Sequence, residues 1–221
     1  MLAKGSISKI IPIALFTIFT GTAAYLLNLF YLQVVSYAGI AVTVFSIWFF
    51  RDPVRHPKKC NKCMVSPADG KVIDIRNRTI CIFMNFNDVH VNRTPLEGEI
   101  IKTSYTNGSF LPAFYKDSEK NERNEITIKT EYGNTKVTQI AGLIARRIIT
   151  YVDEGDLISQ GQRIGMICFG SRVDVTVPDN FDIVCDIKDK VTAGESIIAK
   201  FNSKTNTAPI TEDSDEYIPD T

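Results

Sequence analysis

The stretch Ile167–Pro178, ICFGSRVDVTVP, reads as a β-strand interrupted at its centre. Its second half alternates valine with arginine, aspartate and threonine, the period of a strand with one buried face. A Gly-Ser pair alone suggests a turn, but the flanking residues are not turn residues. Short runs of the same texture fill the chain from Met64 to Phe201: KVIDI, TICIFM, EITIKT, KVTQIAGLIA and VDVTVP, punctuated by Gly and Asn. Strands at this spacing predict a mainly β domain, a sandwich or barrel, with an α+β arrangement as the variant. Two segments echo each other loosely. EGDLISQGQRIGMI from Glu154 and KDKVTAGESIIAKF from Lys188 each carry a turn, a Gly and an apolar strand. SFLPAFY, Ser109 to Tyr115, is expected in a longer excursion.

The region before Met64 has another character. No residue from Ile10 to Phe50 is charged. One membrane helix needs about 20 apolar residues, so the run accommodates two, with a weak break at Asn28 and a polar spot at Gln33. Lys4 and Lys9 precede it; Arg51, Arg55, Lys58 and Lys59 follow it. Basic flanks at both ends place both ends on the cytoplasmic side, as a transmembrane helical hairpin does. The run is too long for a signal-peptide core. Beyond Asn202 the chain is polar and acidic and buries too little surface to order itself. The expected organisation is a membrane hairpin over 1–50, a catalytic domain over 51–201 and a disordered acidic tail over 202–221.

Charge excludes one function class. Lys+Arg and Asp+Glu are both 25, whereas a nucleic-acid binder shows a basic excess. The five cysteines are scattered, unlike a disulfide framework, which suits a reducing compartment. Cys60 and Cys63 have CxxC spacing below His56, but no second pair completes a zinc site, so no metal is expected.

Three residues could carry chemistry, each with an ordinary alternative. Asp69 in SPADG fits a β-turn. His90 in NDVHVNRTP is an ordinary strand histidine or a general base. Ser171 is a β-bulge residue or a nucleophile behind a permissive glycine. Together Asp69, His90 and Ser171 make the acid, base and hydroxyl of an activated-serine arrangement.

SPADGKV, FMNFNDVHVNRTPLEGEI, NERNEI, GLIARRI and the run Val152–Pro178, in this order, resemble the phosphatidylserine decarboxylase proenzymes of the short bacterial and archaeal subclass. The resemblance covers Arg51 to Phe201. It implies self-cleavage between Gly170 and Ser171, with Asp69 and His90 assisting Ser171, and a pyruvoyl cofactor formed from Ser171. It implies a heterodimer of residues 1–170 and 171–221, leaves a homo-oligomer open, and gives phosphatidylserine in the membrane as substrate, converted to phosphatidylethanolamine and CO2. It places the protein in the inner membrane with the catalytic domain facing the cytoplasm. Arg93 and Arg172 become candidates for a substrate phosphate or carboxylate. Longer members carry Leu-Gly-Ser-Thr where this chain has Phe169-Gly170-Ser171-Arg172. Two other readings stand beside this one. A biotinyl or lipoyl carrier module would use Lys190 at a hairpin tip. A membrane-anchored serine hydrolase would use the same three residues, although the chain lacks a Gly-x-Ser-x-Gly elbow.

Overall fold

A computed structural model describes residues 1–56, 62–108, 121–142, 147–168 and 171–202. The SFLPAFY segment, Cys60, Gly170 and all but the first residue of the expected tail lie outside them. Two helices, α1 (Ile7–Leu27) and α2 (Phe30–Phe49), lie antiparallel as a hairpin. The expected break is real: Asn28 ends α1 in the left-handed conformation, φ 51°. Small residues let the helices approach. A Cβ on Gly39 would lie 2.5 Å from the Thr17 hydroxyl, and one on Gly21 would lie 2.9 Å from that of Ser36. Most of the large apolar side chains face outward, unlike those of core helices in a soluble protein. Both helices are long and apolar enough to cross a membrane, consistent with membrane association.

The remainder is mostly antiparallel β. In chain order the strands are β1 (Cys63–Val65), β2 (Gly70–Arg76), β3 (Thr79–Met84), β4 (Val91–Arg93), β5 (Gly98–Thr106), β6 (Arg123–Thr130) and β7 (Gly133–Ile140). They continue as β8 (Ile148–Thr150), β9 (Leu157–Ile158), β10 (Arg163–Ile167), β11 (Ser171–Thr176), β12 (Phe181–Ile183), β13 (Lys190–Val191) and β14 (Ile197–Phe201). An eight-stranded sheet has the order β13-β2-β3-β11-β7-β6-β5-β9; two three-stranded sheets have the orders β1-β14-β12 and β4-β10-β8. One continuous core includes Ile82, Ile100, Ile126, Ile128, Val173 and Val175, all fully buried.

This topology is a pseudo-two-fold. Exchanging β2 with β5, β3 with β6, β11 with β7 and β13 with β9 reverses the large sheet onto itself and interchanges the two small ones. The contacts follow. A Cβ on Gly70 would lie 2.2 Å from the Phe83 carbonyl oxygen, and one on Gly98 2.2 Å from that of Lys129. The Gly194 amide donates to the Ser66 carbonyl; the Gly161 amide donates to that of Thr94. Gly161 and Gly194 both have φ 75°. The echo noticed in the sequence is therefore β9–β10 against β13–β14. The repeat also extends to Ser66-Pro67-Ala68-Asp69-Gly70 against Thr94-Pro95-Leu96-Glu97-Gly98.

Candidate active site at the foot of the hairpin

Strand register gathers the candidate residues. Phe83 pairs with both Lys71 and Arg172, so β2, β3 and β11 are level there. One step further, Ser171 pairs with Met84. Asp69 immediately precedes β2, and His90 lies in the segment that runs from the end of β3 to β4. The Val89 amide donates to Asp69 Oδ2 at 3.4 Å, and the Ile167 amide donates to the His90 carbonyl at 3.2 Å. Asp69, His90 and the approach to Ser171 thus meet at one end of the sheet.

His90 and Ser171 are both buried, at 1% and 0% exposure. Their side chains contribute two buried polar atoms without a hydrogen-bond partner, His90 Nε2 and Ser171 Oγ. His90 Nδ1 lies 2.9 Å from the Asp88 carbonyl oxygen. A carbonyl only accepts, so Nδ1 carries the hydrogen and Nε2 keeps its lone pair. Burial lowers the His90 pKa to about 4. The Asp88 carbonyl and the Asp69 charge oppose that fall, and Arg51 adds to it. The imidazole is therefore neutral at physiological pH.

Asp69 has a different position from the one a triad suggests. Its Oδ1 accepts from the Ala193 amide at 2.8 Å, and its Oδ2 accepts from Arg55 at 2.7 Å. It acts on the imidazole through its charge and through the Val89 amide; the Asp88 carbonyl fixes the tautomer. Its turn reading also stands, because Ser66 Oγ donates to the Ala68 carbonyl inside the same bend.

The two arginines are engaged within the protein. Arg172 Nε and Nη2 each lie 2.8 Å from an oxygen of Asp174. Burial raises the Asp174 pKa against the pull of Arg172. Arg93 donates to the Gly161 carbonyl at 2.9 Å and pairs with Asp52 at 3.6 Å; Arg163 Nε also meets Asp52 at 2.6 Å. Neither arginine is open to a ligand without giving up these partners.

Sequence reading missed two neighbours of the site. Arg55 holds Asp69, and Phe49 lies against His90 with ring centroids 4.5 Å apart. Neither has a motif around it; only the folded chain brings them there. Cys63 is disulfide-bonded, against the expectation drawn from cysteine spacing. Among the described residues no cluster of His, Cys, Asp and Glu could hold a metal ion. Lys190 sits within β13 in register with Lys71, not at a hairpin tip as a carrier lysine would.

The family model for phosphatidylserine decarboxylase matches residues 42–199. A putative archaetidylserine decarboxylase proenzyme from Methanococcoides burtonii is 50% identical over 200 residues, covering 90% of this chain and 96% of the relative. One from Methanosarcina mazei is 51% identical over 205 residues, with the same shares. A phosphatidylserine decarboxylase proenzyme from Syntrophus aciditrophicus is 44% identical over 191 residues, covering 80% and 90%. The β architecture is consistent with these matches, and the chain belongs to the phosphatidylserine decarboxylase family.

Proposed function

We propose that this chain is the proenzyme of a membrane-associated, pyruvoyl-dependent decarboxylase of serine-headgroup phospholipids. Phosphatidylserine would be converted to phosphatidylethanolamine and CO2. The observation that carries this reading is the buried, unpartnered Ser171 Oγ at the head of β11, on the strand end where Asp69 and the neutral His90 meet. The relatives' names supply the rest: they are proenzymes, and they act on serine lipids.

In the proposed maturation, Nε2 of His90 accepts the Ser171 hydroxyl proton. Oγ attacks the Gly170 carbonyl carbon; the C–O bond forms and the Gly170–Ser171 C–N bond breaks, leaving an ester and a free amine. Removal of the Ser171 Cα proton then expels the Gly170 carboxylate. The resulting dehydroalanine takes up water and releases ammonia, leaving a pyruvoyl group at the new N-terminus. The proenzyme and one water thus give two chains and one ammonia. Ser171 fits this role because it begins a strand: it pairs with Met84 on one side, the pairing with β7 starts only at Arg172, and its hydroxyl stays uncommitted.

A pyruvoyl group at residue 171 would supply an electron sink for the decarboxylation. His90 would then return a proton from Nε2 to the substrate α-carbon. Asp69 favours the imidazolium formed in passing, which is the sign of its effect on the His90 pKa. Burial at the site keeps water from competing for that carbon. The hairpin would fix the domain at the cytoplasmic face of the cell membrane, where a lipid headgroup can reach the site.

Intact mass of the purified protein, beside a Ser171→Ala variant, tests the reading. The expected result is two fragments meeting at Gly170–Ser171, with a blocked N-terminus on the smaller, and an uncut variant. A wild-type protein that stays whole under native conditions removes the pyruvoyl mechanism. Vesicles of phosphatidylserine and of an ether-linked serine lipid, assayed in parallel for CO2 release, then assign the lipid.

A further inference from the structure

The hairpin reaches into the site. Phe49, the last residue of α2, is 1% exposed and its ring lies over the His90 imidazole, 40° from parallel. Phe50 crosses Phe49 edge-on at 5.1 Å. Ala3, Ile10, Phe49 and Phe50 share one apolar cluster with Val89, Val91, Met166 and Cys168. On the other helix, Lys9 Nζ donates to Cys168 Sγ at 2.8 Å, three residues before Ser171. The base of the hairpin is tied down independently: the Ala3 amide donates to the Phe50 carbonyl, and the Asp52 amide to the Met1 carbonyl. Both helices thus touch the segments that carry the reacting groups.

We infer that Phe49 is a positioning residue for His90, so that the membrane hairpin forms one wall of the active site as well as an anchor. The inference rests on the reading of His90 as the proton carrier. Physically, the imidazole has one hydrogen bond, at Nδ1, and that alone leaves it free to swing about the bond. The phenyl ring over its face removes that freedom and aims Nε2. It also displaces water from the ring, which favours the neutral form. The charged groups around His90 are Arg51 just after α2, Asp69 before β2, and Lys9 on α1 beside Cys168; the first two act in opposite directions.

The chain has two histidines, so imidazole NMR of the full-length protein in lipid nanodiscs gives two titrations, and His56→Gln assigns them. The Ser171→Ala background keeps the chain whole. With Phe49 present, His90 stays neutral down to about pH 4. Phe49→Ala is expected to move its titration upward by one unit or more. Phe49→Tyr, which keeps the ring, should restore it. In the Ser171 form, the acid limb of the self-cleavage rate should move with the titration. A folded Phe49→Ala protein with an unchanged His90 titration overturns the proposal. If Phe49→Ala does not fold, Phe49→Leu decides: it keeps apolar volume without a ring. The proposal then requires at least a tenfold slower cleavage, and a wild-type rate overturns it. A His90→Asn protein that cleaves normally sinks the proton-carrier reading instead, while the titration shift still reports on the stacking.

Discussion

His90 makes stability depend on pH in a defined direction. Its folded pKa of about 4 lies below its ordinary 6.5. Between these values the unfolded chain binds a proton that the folded chain refuses. The contribution is complete above pH 6.5 and is lost as pH falls towards 4, on the order of 3 kcal/mol in all. Thermal unfolding of the Ser171→Ala protein should therefore show a midpoint that drops across this window, and a His90→Asn substitution should flatten the drop. Asp69 is expected to be as demanding. Asp69→Ala leaves the Ala193 amide without its acceptor, at a cost of about 1–3 kcal/mol, and leaves Arg55 with Glu195 as its one remaining carboxylate among the described residues. Self-cleavage should slow by at least tenfold, read as fragment formation over time. Both residues could be picked from the sequence because Asp and His are chemically distinctive. That Asp88 sets the tautomer could not, since its contribution is a main-chain carbonyl, which every residue has.

At the level of elements, β11 is the strand that the alternation in ICFGSRVDVTVP describes. Val173, Val175 and Val177 are buried in the core, as the period predicts. The opposite face holds a surprise. Arg172 and Asp174, two residues apart and therefore on one side of the strand, form a shielded ion pair with side-chain exposures of 3% and 13%. Arg172→Ala should destabilise the protein by about 3–5 kcal/mol, because it strands a buried carboxylate. The double variant with Asp174→Ala should be less damaged than that single change. A thermal-unfolding double-mutant cycle checks this, and purely additive losses would contradict it. Around His90 burial does not alternate. Val89, His90 and Val91 are all buried, since the hairpin covers one face and the β domain the other. Phe49 is distant in sequence, and no local pattern announces a wall delivered from so far away.

The molecule as a whole is built twice over and used once. The Ser66–Gly70 and Thr94–Gly98 segments occupy matching places, and their glycines meet a main-chain oxygen at the same distance. Gly98→Ala should cost about 1–3 kcal/mol or more through that close approach alone, when measured in the uncut Ser171→Ala protein. Gly70→Ala should cost more, because Gly70 also has φ 145°, which an alanine adopts only with strain; a smaller loss at Gly70 than at Gly98 would contradict this. The sequence showed half of this symmetry, in the β9–β10 and β13–β14 echo, because turns with a left-handed glycine before an apolar run recur visibly. The other half was hidden by divergence: Asp69 has Glu97 as its counterpart, and only the former carries a histidine-bearing neighbour.

The placement of β11 between β3 and β7 has a further consequence. A chain cut before Ser171 leaves a short polypeptide whose strands lie in the middle and at the edge of one sheet and within another. Neither piece can leave without dismantling the ladders of its partner. The uncut chain can find this arrangement by a first-order search, but two separated pieces would need a bimolecular encounter. The proposed maturation would then be a one-way ratchet: the precursor would be the form that can refold, and the cut protein would persist only as long as its unfolding barrier holds.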